Sequence, residues 1–316
     1  MVWLKRLLAW LALLCALVGC AVAQEPADKD CLVIYTSHKP EVYEPIIREF
    51  ESRTGLWVRL ESGGTTEMLE RIAAQSDAPV CDLMFGGGVE SLEAYRAYFA
   101  PVELKGVDVS LGGERWLPFS SLPMVLIYNP KLTVAPSGWH DLLSERWRGR
   151  IAFADPSVSG SSYTALATIL QAMPQQNVLE SFVANLQGRL LEGSGDVVGA
   201  VASGECLIGV TLEETALKGI AAGNDIAMVY PVEGTSAVPD GAAIIAGCPH
   251  PDNARLFLRF ILSSDVQTRL STKFYRRSVL DESSDFLLID YDIVWASEQK
   301  ATVLAEWAAL WGEVEP

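Results

Sequence analysis

Histidine is scarce in this chain: three residues, His38, His140 and His250, among 316. That is too few for a His-rich metal site, although one imidazole could still serve beside a hydroxyl nucleophile. Basic residues are outnumbered, with 24 Lys and Arg against 40 Asp and Glu and a formal net charge of −16. A surface of that sign repels nucleic acid and anionic lipid headgroups. It does not exclude an anionic ligand, because backbone N–H donors at short range can outweigh a screened long-range field. The signatures G-x-x-x-x-G-K, H-E-x-x-H and G-x-S-x-G do not occur, and Gly193-Ser194-Gly195 misses the dinucleotide fingerprint. Catalysis therefore has no motif to stand on. No C-x-x-C is found either, which removes zinc-ribbon and thioredoxin readings.

The one long apolar run is at the start. Lys5 and Arg6 precede Leu7–Val18, too short to span a bilayer comfortably, and small residues follow: the form of an export signal over residues 1–23. Two endings compete. Leu17-Val18-Gly19-Cys20 has the form of a lipobox, which would make Cys20 a lipidated N-terminus, whereas Ala21-Val22-Ala23 would release a chain beginning at Gln24. Loss of Lys5 and Arg6 leaves 22 basic residues against 40 acidic, a net charge of about −18. Beyond the signal stand Cys31, Cys81, Cys206 and Cys248. An even set in an oxidising compartment suggests disulfides, and of three pairings Cys31–Cys81 with Cys206–Cys248 is favoured, with four buried thiols as the alternative.

From Cys31 the pattern alternates. Short apolar runs at 31–35, 56–60 and 80–85 are each followed by helical spacing, which implies parallel strands with right-handed crossovers. A second α/β unit begins near Pro118. Ligands in such sheets bind where strands end and helices begin. At those corners lie Thr36-Ser37-His38, Gly63-Gly64-Thr65-Thr66, Gly86-Gly87-Gly88 and Ser159-Gly160-Ser161-Ser162, residue types that cap helices and let an oxyanion reach unpaired N–H groups. One such corner is ordinary capping; four together point to anion recognition. At a fifth corner, Thr211-Leu212-Glu213-Glu214 fits a capping box completed by Glu214. Glu213 is then left for ligand hydroxyls, an amine or a metal.

Five segments carry a resemblance: Tyr35-Thr36-Ser37, Phe50-Glu51-x-x-Thr54-Gly55, Asp82-Leu83-Met84-Phe85-Gly86-Gly87, Leu126-Ile127-Tyr128-Asn129-Pro130 and Asp155-Pro156-x-x-Ser159-Gly160-Ser161. In this order they resemble the extracellular solute-binding proteins of bacterial ABC importers, in the branch of ferric-ion, sugar-phosphate and phosphonate binders. The resemblance implies an α/β, two-lobed type 2 periplasmic-binding-protein fold, each lobe a mainly parallel sheet flanked by helices, joined by two crossover strands. Lobe 1 would comprise 24–120 and 242–316, and lobe 2 121–241. It further implies a monomeric receptor without enzymatic activity or cofactor, periplasmic or tethered through Cys20, which hands a small anionic solute to an ABC permease. Ser121 and Asp240, on the crossovers, join Thr36, Ser37, His38, Gly64, Thr65, Gly87, Gly88, Ser159, Ser161, Ser162 and Glu213 as the expected ligand set. The ferric binders of this branch carry adjacent tyrosines where this chain reads Leu212-Glu213-Glu214, and no Tyr-Tyr occurs anywhere. A phosphate or phosphonate is therefore the expected ligand. The alternatives are a metal held by Glu213 and His38, or an exported enzyme using the same two residues as an acid–base pair.

Overall fold

The computed structural model describes residues 28–102, 104, 113–175, 177–281 and 284–314; the expected export signal over 1–23, with Cys20, and Gln24 lie outside them. Every residue of Cys31–Thr36 (β1) is buried, as a continuous apolar run requires of a strand covered on both faces. Helix Pro40–Thr54 (α1) lays Val42, Ile46, Ile47 and Phe50 on the sheet and leads to Trp57–Ser62 (β2), parallel to β1. Thr65–Ala74 (α2) then returns the chain to Leu83–Gly88 (β3), parallel to β1 on its other edge. The three glycines expected in a loop thus belong to the end of β3. Val89–Ala94 (α3) follows directly.

Leu117–Tyr128 (β4) begins in this first sheet and ends in a second one. The second lobe continues with Ile151–Ala152 (β5), helices Gly160–Ala172 (α4), Val178–Leu186 (α5) and Asp196–Ala202 (α6), strand Ile208–Leu212 (β6), Glu213–Ala221 (α7) and Ala227–Val229 (β7). Here β5 runs parallel to β6, while β6 and β7 are antiparallel to β4. Ala237–Ile244 (β8) carries the chain back, paired antiparallel with β4 from Ala237–Pro123 to Ala242–Leu117. The two crossovers therefore bond to each other. Helices Pro251–Ile261 (α8) and Ser264–Lys273 (α9), the short strand Arg277–Ser278 (β9, on β4), and helices Ile293–Glu298 (α10) and Lys300–Val314 (α11) complete the order.

Two large cores result. The first gathers β1–β3, the first part of β4, the end of β8, α8 and α9 around Phe50, Phe85, Phe119 and Phe257. The second gathers Trp139, Phe153, Phe182 and Leu166. Trp307 of α11 joins it at 5.8 Å from Phe153, and α10 packs against α3 of the first lobe. The stretch 242–316 is thus shared between the lobes rather than confined to the first.

The favoured disulfides are not formed. All four cysteines are buried thiols. Cys206 lies in an apolar cluster of the second lobe with Val197 and Val201, and Cys248 in the first core, so that pair is separated by the division between lobes. Cys81 points its Sγ at the carbonyls of Val33 and Leu83, and burial pushes its thiol up to about 12. A thiol that stays protonated is a poor nucleophile for exchange.

Phe257 tests the first core. It is fully buried, with ring centroids 5.0 Å from Phe50 and 5.3 Å from Phe85. Phe257→Ala should cost about 3–5 kcal/mol in urea unfolding; a loss below about 1 kcal/mol would contradict this packing.

Candidate functional site

Between the lobes lies a cleft of about 580 Å³, lined by the turn after β1, the end of β3, the middle of β4, the start of β8 and the N-terminal turns of α1, α2, α4 and α7. The sequence's corners converge here. Ser37, His38, Gly64, Thr65, Gly87, Gly88, Ser161 and Asp240 all line it. Glycine is required at the end of β3. Gly86 (φ +111°) and Gly87 (φ +89°) sit where other residues are strained, and a Cβ on Gly87 would come within 2.7 Å of the Thr65 methyl.

The other expected residues support the cleft from behind. Thr36 is fully buried, donates to the Phe85 carbonyl at 2.6 Å and accepts from the His38 N–H at 3.1 Å. It holds the turn on which His38 stands. Ser159 caps α4 by accepting from the Ser162 N–H, and the Ser162 hydroxyl donates back to it at 3.0 Å. Ser121 donates to the Ala237 carbonyl across the paired crossovers.

Glu213 is the main correction. It faces a separate cavity behind the crossovers, clamped by Arg277 (Nε and Nη2 at 2.9 and 2.8 Å) and by the Tyr230 hydroxyl. Nor does the expected capping box form: Leu212 occupies the N-cap of α7 and makes no side-chain cap. Glu214 therefore turns into the cleft instead. His38 and Glu213 do not share a site, so neither an acid–base pair nor a shared metal can be built on them. Among the described residues no three His, Cys, Asp or Glu side chains are grouped to hold a metal ion.

Arg276, which sequence reasoning missed, organises the cleft floor. It is 8 % exposed, with Nε 2.9 Å from Glu214 and Nη1 paired with Asp240. Asp240 also accepts from Ser120 through both its N–H (3.0 Å) and its hydroxyl (2.6 Å). Burial alone would lower the guanidinium's pKa, but the two carboxylates more than offset it and keep it charged. The only sequence signal was the doublet Arg276-Arg277 mirroring Glu213-Glu214. The inner pair, Arg276 with Glu214, faces the ligand space; the outer pair, Arg277 with Glu213, fastens β9 to α7.

His38 packs edge-on against Phe85 at 4.5 Å, with Nδ1 3.5 Å from Asp240 and Nε2 buried without a partner. Burial, and secondarily the charge of Arg276, hold its pKa well below the ordinary imidazole value, so it is neutral. Of the lining cations, Lys218 is paired with Glu214 (2.5 Å) and Glu41 (3.8 Å). Among the described residues, Lys39 is the lining cation with no carboxylate partner. Its Nζ lies beside Gly195, next to Ser194, whose hydroxyl accepts from Ser161 at 2.9 Å.

Comparison with known proteins agrees with this architecture. Residues 32–276 match the model of the bacterial extracellular solute-binding protein family, and the chain belongs to that family. It is a substrate-binding protein of the ABC-importer class. A protein from Salmonella typhi described as a putative 2-aminoethylphosphonate-binding periplasmic protein is 20 % identical, over 72 % of this chain and 71 % of its own. Iron uptake protein A1 of Synechocystis is 24 % identical, over 82 % and 78 %. The solved structure of the periplasmic binding protein AfuA from Actinobacillus pleuropneumoniae, with exogenous fructose-6-phosphate bound, superposes with a TM-score of 0.73. It is 23 % identical and covers 89 % of this chain and 98 % of its own.

Two outcomes are expected. Arg276→Met strands Asp240 and Glu214 and should cost about 3–5 kcal/mol in chemical denaturation; an unchanged midpoint would mean the pair network is dispensable. The second concerns pH. His38 has a folded pKa below its unfolded value of about 6.5, so its contribution is complete above that pH and is lost as pH falls through the window beneath it. Stability between pH 7 and 5 should therefore fall less steeply in His38→Asn than in the parent chain; equal slopes would refute a neutral buried imidazole.

Proposed function

We propose that the cleft captures a small solute by an oxyanion, a phosphate or phosphonate group, for delivery to a membrane ABC permease. The observation that carries this reading is the cluster of Lys39 with Ser161 and Ser194 at the N-terminal turn of α4, a helix of 13 residues. An unpaired ammonium, two hydroxyls and first-turn amides are what a tetrahedral oxyanion needs. Arg276 is not available to it, being balanced by Glu214 and Asp240. Relatives whose names or structures include a phosphonate and a sugar phosphate support the same class. Relatives named for iron are also present, yet the resemblance implies a tyrosine pair within Thr211-Leu212-Glu213-Glu214-Thr215, where this chain has no tyrosine. The receptor we propose is monomeric and lies outside the cytoplasmic membrane, as its periplasmic relatives do, with Cys20 or Gln24 as its first residue. Among the described residues, no helix is long and apolar enough to cross a membrane.

Calorimetry of the mature chain against sugar phosphates, alkylphosphonates, inorganic phosphate and ferric citrate tests this. At least one phosphorus compound should bind. Hydrogen bonds to a charged group contribute on the order of 1.5–3 kcal/mol each, so Lys39→Met and the Ser161→Ala/Ser194→Ala pair should each weaken it by about tenfold or more. Binding of ferric citrate alone would overturn the proposal.

A further inference from the structure

Two ionisable groups lining the cleft, one basic and one acidic, are left without a counter-charge in ion-pair contact. Lys39 is one. The other is Glu90, at the second position of α3: 1 % exposed, with Oε1 accepting from the Thr164 hydroxyl of α4 and Oε2 buried and without any partner. Glu41, Glu214 and Asp240 are all engaged with Lys218 or Arg276. Lys300 acts on Glu90 through space but makes no ion pair with it; its ammonium stands over the Tyr163 ring at 5.0 Å. The chain keeps room for this carboxylate, since a Cβ on Gly88 would fall 2.7 Å from Oε2. Burial with no donor to Oε2 disfavours the carboxylate and pushes the Glu90 carboxyl up, and a ligand donor offsets this. A cationic donor does so better than a neutral one, because it also balances the charge.

We propose that Glu90 is a specificity-determining residue of the cleft, whose Oε2 receives a protonated amine of the solute. The preferred solute is then zwitterionic, its oxyanion at Lys39 and its ammonium at Glu90. Because Oε1 is held by Thr164 of the second lobe, the carboxylate is oriented for the amine only when the lobes meet. A hydroxyl-bearing solute would be served equally well by a neutral amide at this position, which gives the proposal its sharpest test.

The inference rests on the oxyanion reading above, and the experiment separates the two. Titrate the mature chain and its Glu90→Gln variant with 2-aminoethylphosphonate and with ethylphosphonate, which differ only in the amine. The parent chain should bind the amine-bearing probe at least tenfold more tightly. Glu90→Gln, which retains an acceptor for Thr164, should lose that preference while its affinity for ethylphosphonate stays within about threefold, reporting an intact fold. Equal binding of both probes by the parent chain, or a preference that survives Glu90→Gln, overturns the role of Glu90 and leaves the oxyanion site standing. Failure of both probes to bind the parent chain overturns the role of Glu90, and it overturns the oxyanion reading too if sugar phosphates and inorganic phosphate also fail to bind.

Discussion

Much of the structure depends on one buried cation. Arg276 follows α9 of the first lobe and reaches Asp240 on a crossover strand and Glu214 on the first turn of a second-lobe helix. A charge at that depth is tolerable only when it is paired on all sides. Its partners are accordingly fixed in turn, Asp240 by two donors from Ser120 and Glu214 by Lys218. The chain thereby spends its strongest electrostatics on joining lobes and hinge. What remains for a ligand is a rim of hydroxyls, amides and the few charges left over.

That division bears on the proposed recognition, because the cleft holds many ionisable groups. Matched pairs cancel and present little field, so recognition falls to the residues without a match. His38 contributes as a neutral ring wedged against Phe85 and Phe119, which keeps the floor rigid. The same logic places Glu213 elsewhere. Bound by Arg277 and Tyr230, with Arg277 and Tyr230 both stacked on Phe286, it is a fastening rather than a contact.

Local pattern made the first lobe legible. Continuous apolar runs at 31–35 and 80–85, each followed by helical spacing, determine strand, crossover and the edge where ligands gather, and the glycines at 86–88 marked a close approach. The fold class and most cleft-lining corners could be read this way. Three things could not. Which of Glu213 and Glu214 faces inward depends on the N-cap being Leu212 rather than Thr211, a one-residue matter of phase. Arg276 lies 32 residues beyond Ile244, the end of β8, and only tertiary packing brings it to the cleft. The Cys206–Cys248 pairing failed for a related reason: an even count carries no information about which lobe each thiol occupies.

Neither lobe is contiguous in the chain. The first core needs β8, α8 and α9, and the second needs Val303 and Trp307 from the final helix. Without those segments, part of the apolar surface of β1–β3 and of β4–β6 has no cover. Each core is therefore completed only by segments that lie C-terminal to most of its strands. Truncation near residue 300 would accordingly act on the middle of the protein, removing the lid of a core whose other walls were made a hundred residues earlier.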